Sequence, residues 1–229
     1  MEYLVISICL ISFLIILKFV FGYSKKQIKA IGENEELDKI ALKYPENIEI
    51  CKKYLKMLNN EDVMIEEDKN ATNSLYIATS NKIVIADVKN SFTRIQTIAH
   101  ECLHSVQDRK ILIFNFIYSN IYMLYFLVIS VLAIFKLLPN KMLFLVTLII
   151  GGLVNYFVRS YLENDAMIKA RFLAKEYMEK EKISTQEEIN KIVNGFDKLN
   201  AIGIKSVNYV LLLNKILQSI IFCIICMMR

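Results

Sequence analysis

The chain has 229 residues, 55% of them apolar, with only two prolines, six glycines and five scattered cysteines. Its net charge of +5, from 28 basic and 23 acidic residues, does not suggest a nucleic-acid partner, and a mean hydropathy of +0.39 exceeds that of an ordinary soluble domain. Scarce glycine and proline exclude a turn-rich β fold, the cysteine spacing offers no disulfide framework, and what is left is a chain of long helices, several of them candidate membrane spans.

In chain order, Tyr3–Tyr23 is an apolar run of spanning length. It lacks a basic leader and a small-residue cleavage site, so it reads as an uncleaved anchor. A polar segment follows, with the character of a small α+β unit. NEELDKIALKY (34–44) and NIEICKKYLKML (47–58) carry helical periodicity, and SLYIATSNKIVIADV (74–88) reads as two short strands joined around Ser80-Asn81.

Next comes TIAHECLHSVQ (97–107), which holds both histidines of the chain, His100 and His104. Phe92, Ile95, Ala99, Cys102 and Val106 form an apolar stripe, whereas His100, His104, Thr97 and Asp108 fall roughly opposite. Ser91 or Asn90 is the expected N-cap of this helix. Two further apolar runs, Ile111–Leu138 and Met142–Val158, are separated only by PNK and must form a hairpin across the bilayer. SYLENDAMIKARFLAKEYMEKEK (160–182) is helical, and a capping box from Ser184 to Glu187 opens another helix. The last apolar run, Val207–Met228, is interrupted by Asn214, Lys215 and Gln218. A lysine at that depth has to snorkel or face other helices.

The expected organisation is therefore a mainly α integral membrane protein with four transmembrane helices. Residues 1–23 form the first span, 24–110 an α+β region, 111–158 a hairpin of two spans, 159–206 a helical region and 207–229 the last span. Lys25, Lys26, Lys29, Arg109, Lys110, Arg159, Lys169 and Arg171 flank the polar segments, against Lys136, Lys141 and Arg229 at the opposite ends. That bias puts both polar segments in the cytoplasm and both termini outside, in a multi-pass protein of the cell membrane.

His100 and His104 are four apart on one helix, about 40° apart around its axis, so both can reach one ion. The pattern His100-Glu101-x-x-His104 is HExxH, in which two neutral imidazoles bind Zn²⁺ and the glutamate acts as general base toward water. A catalytic zinc takes three protein ligands, and without a third histidine the last must be a carboxylate or a cysteine. The best candidate is Glu163, because a membrane hairpin returns the chain close to where it entered. Asp165, two residues on, points elsewhere in a helix and is better suited to holding a ligand imidazole in place. The strand in KIVIADV offers an edge on which an extended substrate could pair.

These motifs in this order resemble the YugP-like family of bacterial membrane proteins, neutral zinc metallopeptidases. That family shows HEVGHAxQ where this chain has HECLHSVQ, and EFDASxRA where this chain has ENDAMIKA. The resemblance covers nearly the whole chain, with Leu103 in place of the glycine before the second histidine as a departure. It implies a zincin-like cytoplasmic site with His100, His104 and Glu163 as ligands and Glu101 as the catalytic base. The HtpX-like peptidases share the layout but keep an aspartate four residues after the glutamate, where this chain has Met167. Intramembrane site-2-type proteases carry HExxH within a span, whereas here Arg94, Asp108, Arg109 and Lys110 flank it closely.

The expected function is a zinc-dependent metalloendopeptidase acting on peptide or membrane-protein substrates at the cytoplasmic membrane surface. The competing reading is a non-catalytic membrane scaffold or sensor with a structural metal. The bilayer is the expected environment, no nucleic acid is expected, and the sequence leaves oligomeric state open.

Overall fold

A computed structural model describes residues 1–22, 25–68, 70–71, 73–87 and 91–228. It is mostly helical, with one three-stranded sheet. The chain divides into two compact units. One comprises Met1–Tyr23, Phe114–Tyr161 and Lys205–Arg229, the other Ser24–Ile113 and Leu162–Ile204.

The second, polar unit contains α2 (Lys25–Gly32), α3 (Glu35–Ala41), α4 (Asn47–Met57), β1 (Met64–Asp68), β2 (Leu75–Ile77), β3 (Lys82–Ala86) and α5 (Arg94–Val106). Asn34 caps α3 by accepting the Leu37 N–H at 3.1 Å. On α4, Ile50, Cys51, Tyr54 and Leu55 are buried, a spacing that makes one core-facing stripe. Asn59 takes a left-handed conformation (φ 52°), and the Asn60 N–H returns to the Leu55 carbonyl at 2.9 Å, which ends the helix. Their core also takes in Ala166, Ala170, Ala174 and Tyr177 of one long helix and Ile189, Ile192 and Phe196 of another.

The sheet order is β1-β3-β2, with β3 parallel to β1 and antiparallel to β2. The β2–β3 turn closes with Asn81 in the left-handed region (φ 48°), where asparagine is tolerated. β3 is thus the central strand and has no open edge, which corrects the expectation that KIVIADV pairs with substrate. Its buried Ile83 and Ile85 suit a strand flanked on both sides. Val88 lies outside the described residues.

Helix α5 starts later than its polar prelude suggests. Thr93 occupies the N-cap without a side-chain bond, and the Ser91 hydroxyl instead meets that of Thr93 at 2.7 Å, so Ser91 is not the cap. Asn90 lies outside the described residues. The apolar stripe also stops short: Ile95, Ile98, Ala99 and Cys102 are fully buried, but Val106, in the last turn, is 44% exposed. Arg94 is not a solvated flank of the motif. It is 1% exposed, and its guanidinium donates to the carbonyls of Ala41, Tyr44 and Pro45 and to Asn47 Oδ1, at 2.8–2.9 Å.

Three helices run on from one unit to the other along the chain: α6 (Arg109–Ile134), α7 (Lys141–Glu181) and α8 (Gln186–Met227). Each of the last two apolar runs is therefore continuous with a polar helix. Asp108 opens α6 by accepting the Lys110 N–H at 2.8 Å. α6 ends at Ile134, four residues before the expected Leu138. Lys136 is left-handed (φ 60°), and the Leu137 N–H reaches back to the Leu132 carbonyl at 2.9 Å, a C-terminal motif that leaves Phe135–Asn140 as the connection. Before α8 the capping box falls one residue later than expected. Thr185 and Glu188 exchange the reciprocal bonds, 3.1 and 3.3 Å, and Ser184 does not take part.

The first unit holds α1 (Glu2–Phe21) and the apolar lengths of α6, α7 and α8. These four helices, among the described residues, are long and apolar enough to cross a membrane. Large apolar side chains such as Ile16, Leu124, Phe157 and Ile221 stand outward on all four. Within the unit, Tyr118 donates to the Gly151 carbonyl at 3.1 Å and Asn155 to Ser119 at 2.7 Å, joining α6 to α7.

Candidate metal centre

All the residues singled out from the sequence as a metal site lie in the polar unit. α5 carries His100 and His104 one turn apart, and α7 supplies Glu163. One nitrogen from each imidazole and one carboxylate oxygen of Glu163 lie within 4.8 Å of one another, so the three residues could hold a metal ion. His100 Nε2 is 3.0 Å from His104 Nε2, and Glu163 Oε2 is 3.5 and 3.8 Å from the two nitrogens. A tetrahedral ion bound at ~2.0–2.1 Å by each ligand would need ligand atoms about 3.3 Å apart. The observed triangle brackets that value, and the set of two imidazoles and a carboxylate fits a borderline cation such as Zn²⁺.

The break between α5 and α6 is what completes the site. Gln107 is extended (ψ 162°), which ends α5 and turns its side chain back. Its Nε2 donates to the Leu162 carbonyl at 2.8 Å and to Asp165 Oδ2 at 3.1 Å. With both amide hydrogens so used, its Oε1, 2.8 Å from His104 Nδ1, has to accept. His104 then carries its proton on Nδ1 and keeps the Nε2 lone pair toward His100 and Glu163. Asp165 is itself paired with Lys169 at 2.6 Å. The expected role of Asp165 is thus modified: it orients Gln107, and Gln107 orients the imidazole. Gln107 lies three residues beyond His104 in HECLHSVQ, where nothing in the sequence alone gives it a role.

Electrostatics follow from burial and from two carboxyl groups and two imidazoles in a small space. Burial raises the Glu101 carboxyl above the ordinary carboxylate range, although the imidazoles of His100 and His104 and the backbone amide of Tyr76 pull the other way. Burial resists protonation of His104, but the Glu163 carboxylate, with Glu101 and Gln107, outweighs it and raises the imidazole above its usual value. The contact with Tyr76 puts β2, an edge strand, beside Glu101. Cys102, the residue after Glu101, is buried 3.6 Å from Cys51 and faces the core rather than the imidazoles.

No family model, no curated protein and no solved structure matches this chain.

Proposed function

We propose that the chain is a multi-pass membrane zinc metallopeptidase with a zincin-like site at the cytoplasmic membrane surface. The observation that carries this reading is the convergence of His100, His104 and Glu163, from two separate helices, beside the buried carboxyl of Glu101. The likeness of HECLHSVQ and ENDAMIKA to the motifs of the YugP-like peptidases points the same way. Membrane insertion is supported by four helices of spanning length and composition, and the side by the lysine and arginine bias.

In this reading His100 and His104 hold the ion through Nε2 and Glu163 through a carboxylate oxygen. Zinc bound there supplies Lewis acidity, acidifying water and polarising a scissile carbonyl. Glu101 is the general base, taking a proton from the attacking water and returning it to the leaving amine. Gln107 fixes the His104 tautomer so that the ring never turns a protonated nitrogen to the ion. Substrate binds extended along the open edge of β2, because that edge passes Glu101 whereas β3 is paired on both sides.

Metal analysis of the purified protein tests this first. About one zinc per chain is expected, and His100→Ala and His104→Ala each remove it, since two remaining ligands hold the ion poorly. Stoichiometric zinc in the double variant contradicts the assignment.

A further inference from the structure

The spanning portions of the first unit contain one charge at mid-depth, Lys215 on α8. It lies 12 residues before Met227 and eight after Val207, about 18 and 12 Å along the helix axis, and both are beyond the roughly 6 Å a lysine stem can reach. Its Nζ sits over the ring of Tyr122, 4.5 Å from the centroid. Tyr122 is itself in the middle of α6, 12 residues from Ile134. On the third side, Gly152 of α7 lets the lysine approach, for a Cβ there would meet Lys215 Cβ at 3.3 Å and the Tyr122 hydroxyl at 2.8 Å. The lysine is thus held at depth by three helices.

A ring face offsets only part of the cost of an ammonium in hydrocarbon. A carboxylate would do more, but the apolar runs 3–22, 111–138, 142–158 and 207–228 contain no aspartate or glutamate. No second copy of this chain can therefore supply one from its spans. The surroundings have spare polar capacity as well. The buried Gln218 Oε1, one turn along α8, and the Tyr122 hydroxyl have no hydrogen-bond partner. Asn214, beside Lys215, is exposed on the same outward face as Leu217 and Ile221. A carboxamide facing lipid is costly unless another helix covers it.

We propose that Lys215, with Asn214, forms an intramembrane docking point for the transmembrane segment of a different protein carrying a buried aspartate or glutamate. The carboxylate pairs with the Lys215 ammonium, and the exposed Asn214 carboxamide bonds to the remaining polar groups of the arriving helix. The inference rests on the reading of these helices as spans, and not on any assignment at the metal centre.

The test uses the full chain in phosphatidylcholine vesicles with synthetic single-span polyleucine peptides bearing Asp, Asn or Leu at the centre. Association is read by energy transfer, after flotation has established that protein and vesicles travel together. The Asp peptide should associate about tenfold more tightly than the Leu peptide, Lys215→Met should erase that difference, and Lys215→Arg should keep it. Equal association of the peptides with the wild type, or a preference that survives in Lys215→Met, overturns the proposal. A Lys215-dependent enrichment of phosphatidylglycerol around the protein without any Asp preference also overturns it, in favour of a lipid headgroup. Failure to float overturns the spanning reading together with this inference, whereas flotation without an Asp preference overturns this inference alone.

Discussion

An imidazole offers its Nε2 lone pair to a cation only when its proton sits on Nδ1, and at His104 that choice falls to Gln107. Removing the carboxamide oxygen frees the ring to adopt the other tautomer or to rotate. Gln107→Leu should therefore weaken zinc binding by about 10–100-fold, the range for partners that orient a metal ligand. Asp165→Ala, acting through Gln107, should cost less than Gln107→Leu. Competition titration with a chelator measures both, and a larger loss at Asp165 than at Gln107 would show that the aspartate bears on the metal directly. The convergence of His100, His104 and Glu163 was legible in the sequence because HExxH fixes side-chain directions within one helix and the hairpin brings Glu163 back. Gln107 was not, because its role depends on a two-residue break between helices that local propensity does not specify. Nor was the burial of Arg94, since nothing local distinguishes an arginine that caps backbone carbonyls from one that meets water.

At the scale of elements, that arginine ties α5 to the turn after α3. Its guanidinium satisfies the buried Tyr44 carbonyl and Asn47 Oδ1, adds a second donor to the Ala41 carbonyl, which also accepts the Tyr44 N–H, and reaches the part-buried Pro45 carbonyl. Arg94→Met keeps the volume but orphans the buried Tyr44 carbonyl and Asn47 Oδ1, each worth ~1–3 kcal/mol when buried unpaired, so a loss of about 2 kcal/mol or more is expected. The thermal unfolding midpoint followed by circular dichroism should fall accordingly, and an unchanged midpoint would mean that the turn rearranges at no cost. Helices α3 and α4 fall within the segments whose apolar spacing marked them. Element ends were less legible. Ser91 and Ser184 are sound capping residues in isolation, yet the helices begin after Thr93 and Thr185, as packing and the competing hydroxyl nearby decide. The central place of β3 was hidden for a similar reason. β1, MIEED, reads as a polar segment, and only its parallel pairing with β3 makes it a strand.

At the scale of the whole molecule, four apolar helices share the chain with a polar unit that carries the candidate metal centre. In the orientation proposed from the lysine and arginine bias, that unit is cytoplasmic. In a background lacking the five native cysteines, single cysteines at Glu61 and Asn190 should resist an impermeant thiol reagent added outside the cell, while one at Leu137 should react. The reverse pattern would move the site to the outer surface and change the class of substrate. One comparison bears most directly on whether this centre hydrolyses peptide bonds. Zinc-loaded wild type and Glu101→Gln, matched for metal content, are assayed for cleavage of an unfolded, fluorogenic protein substrate in the same membranes. The account predicts cleavage by the wild type and a loss of at least ~10²–10⁴-fold in the variant, because an amide cannot take the proton from the attacking water. Equal rates, or no cleavage by a wild type that holds its full zinc, would contradict it.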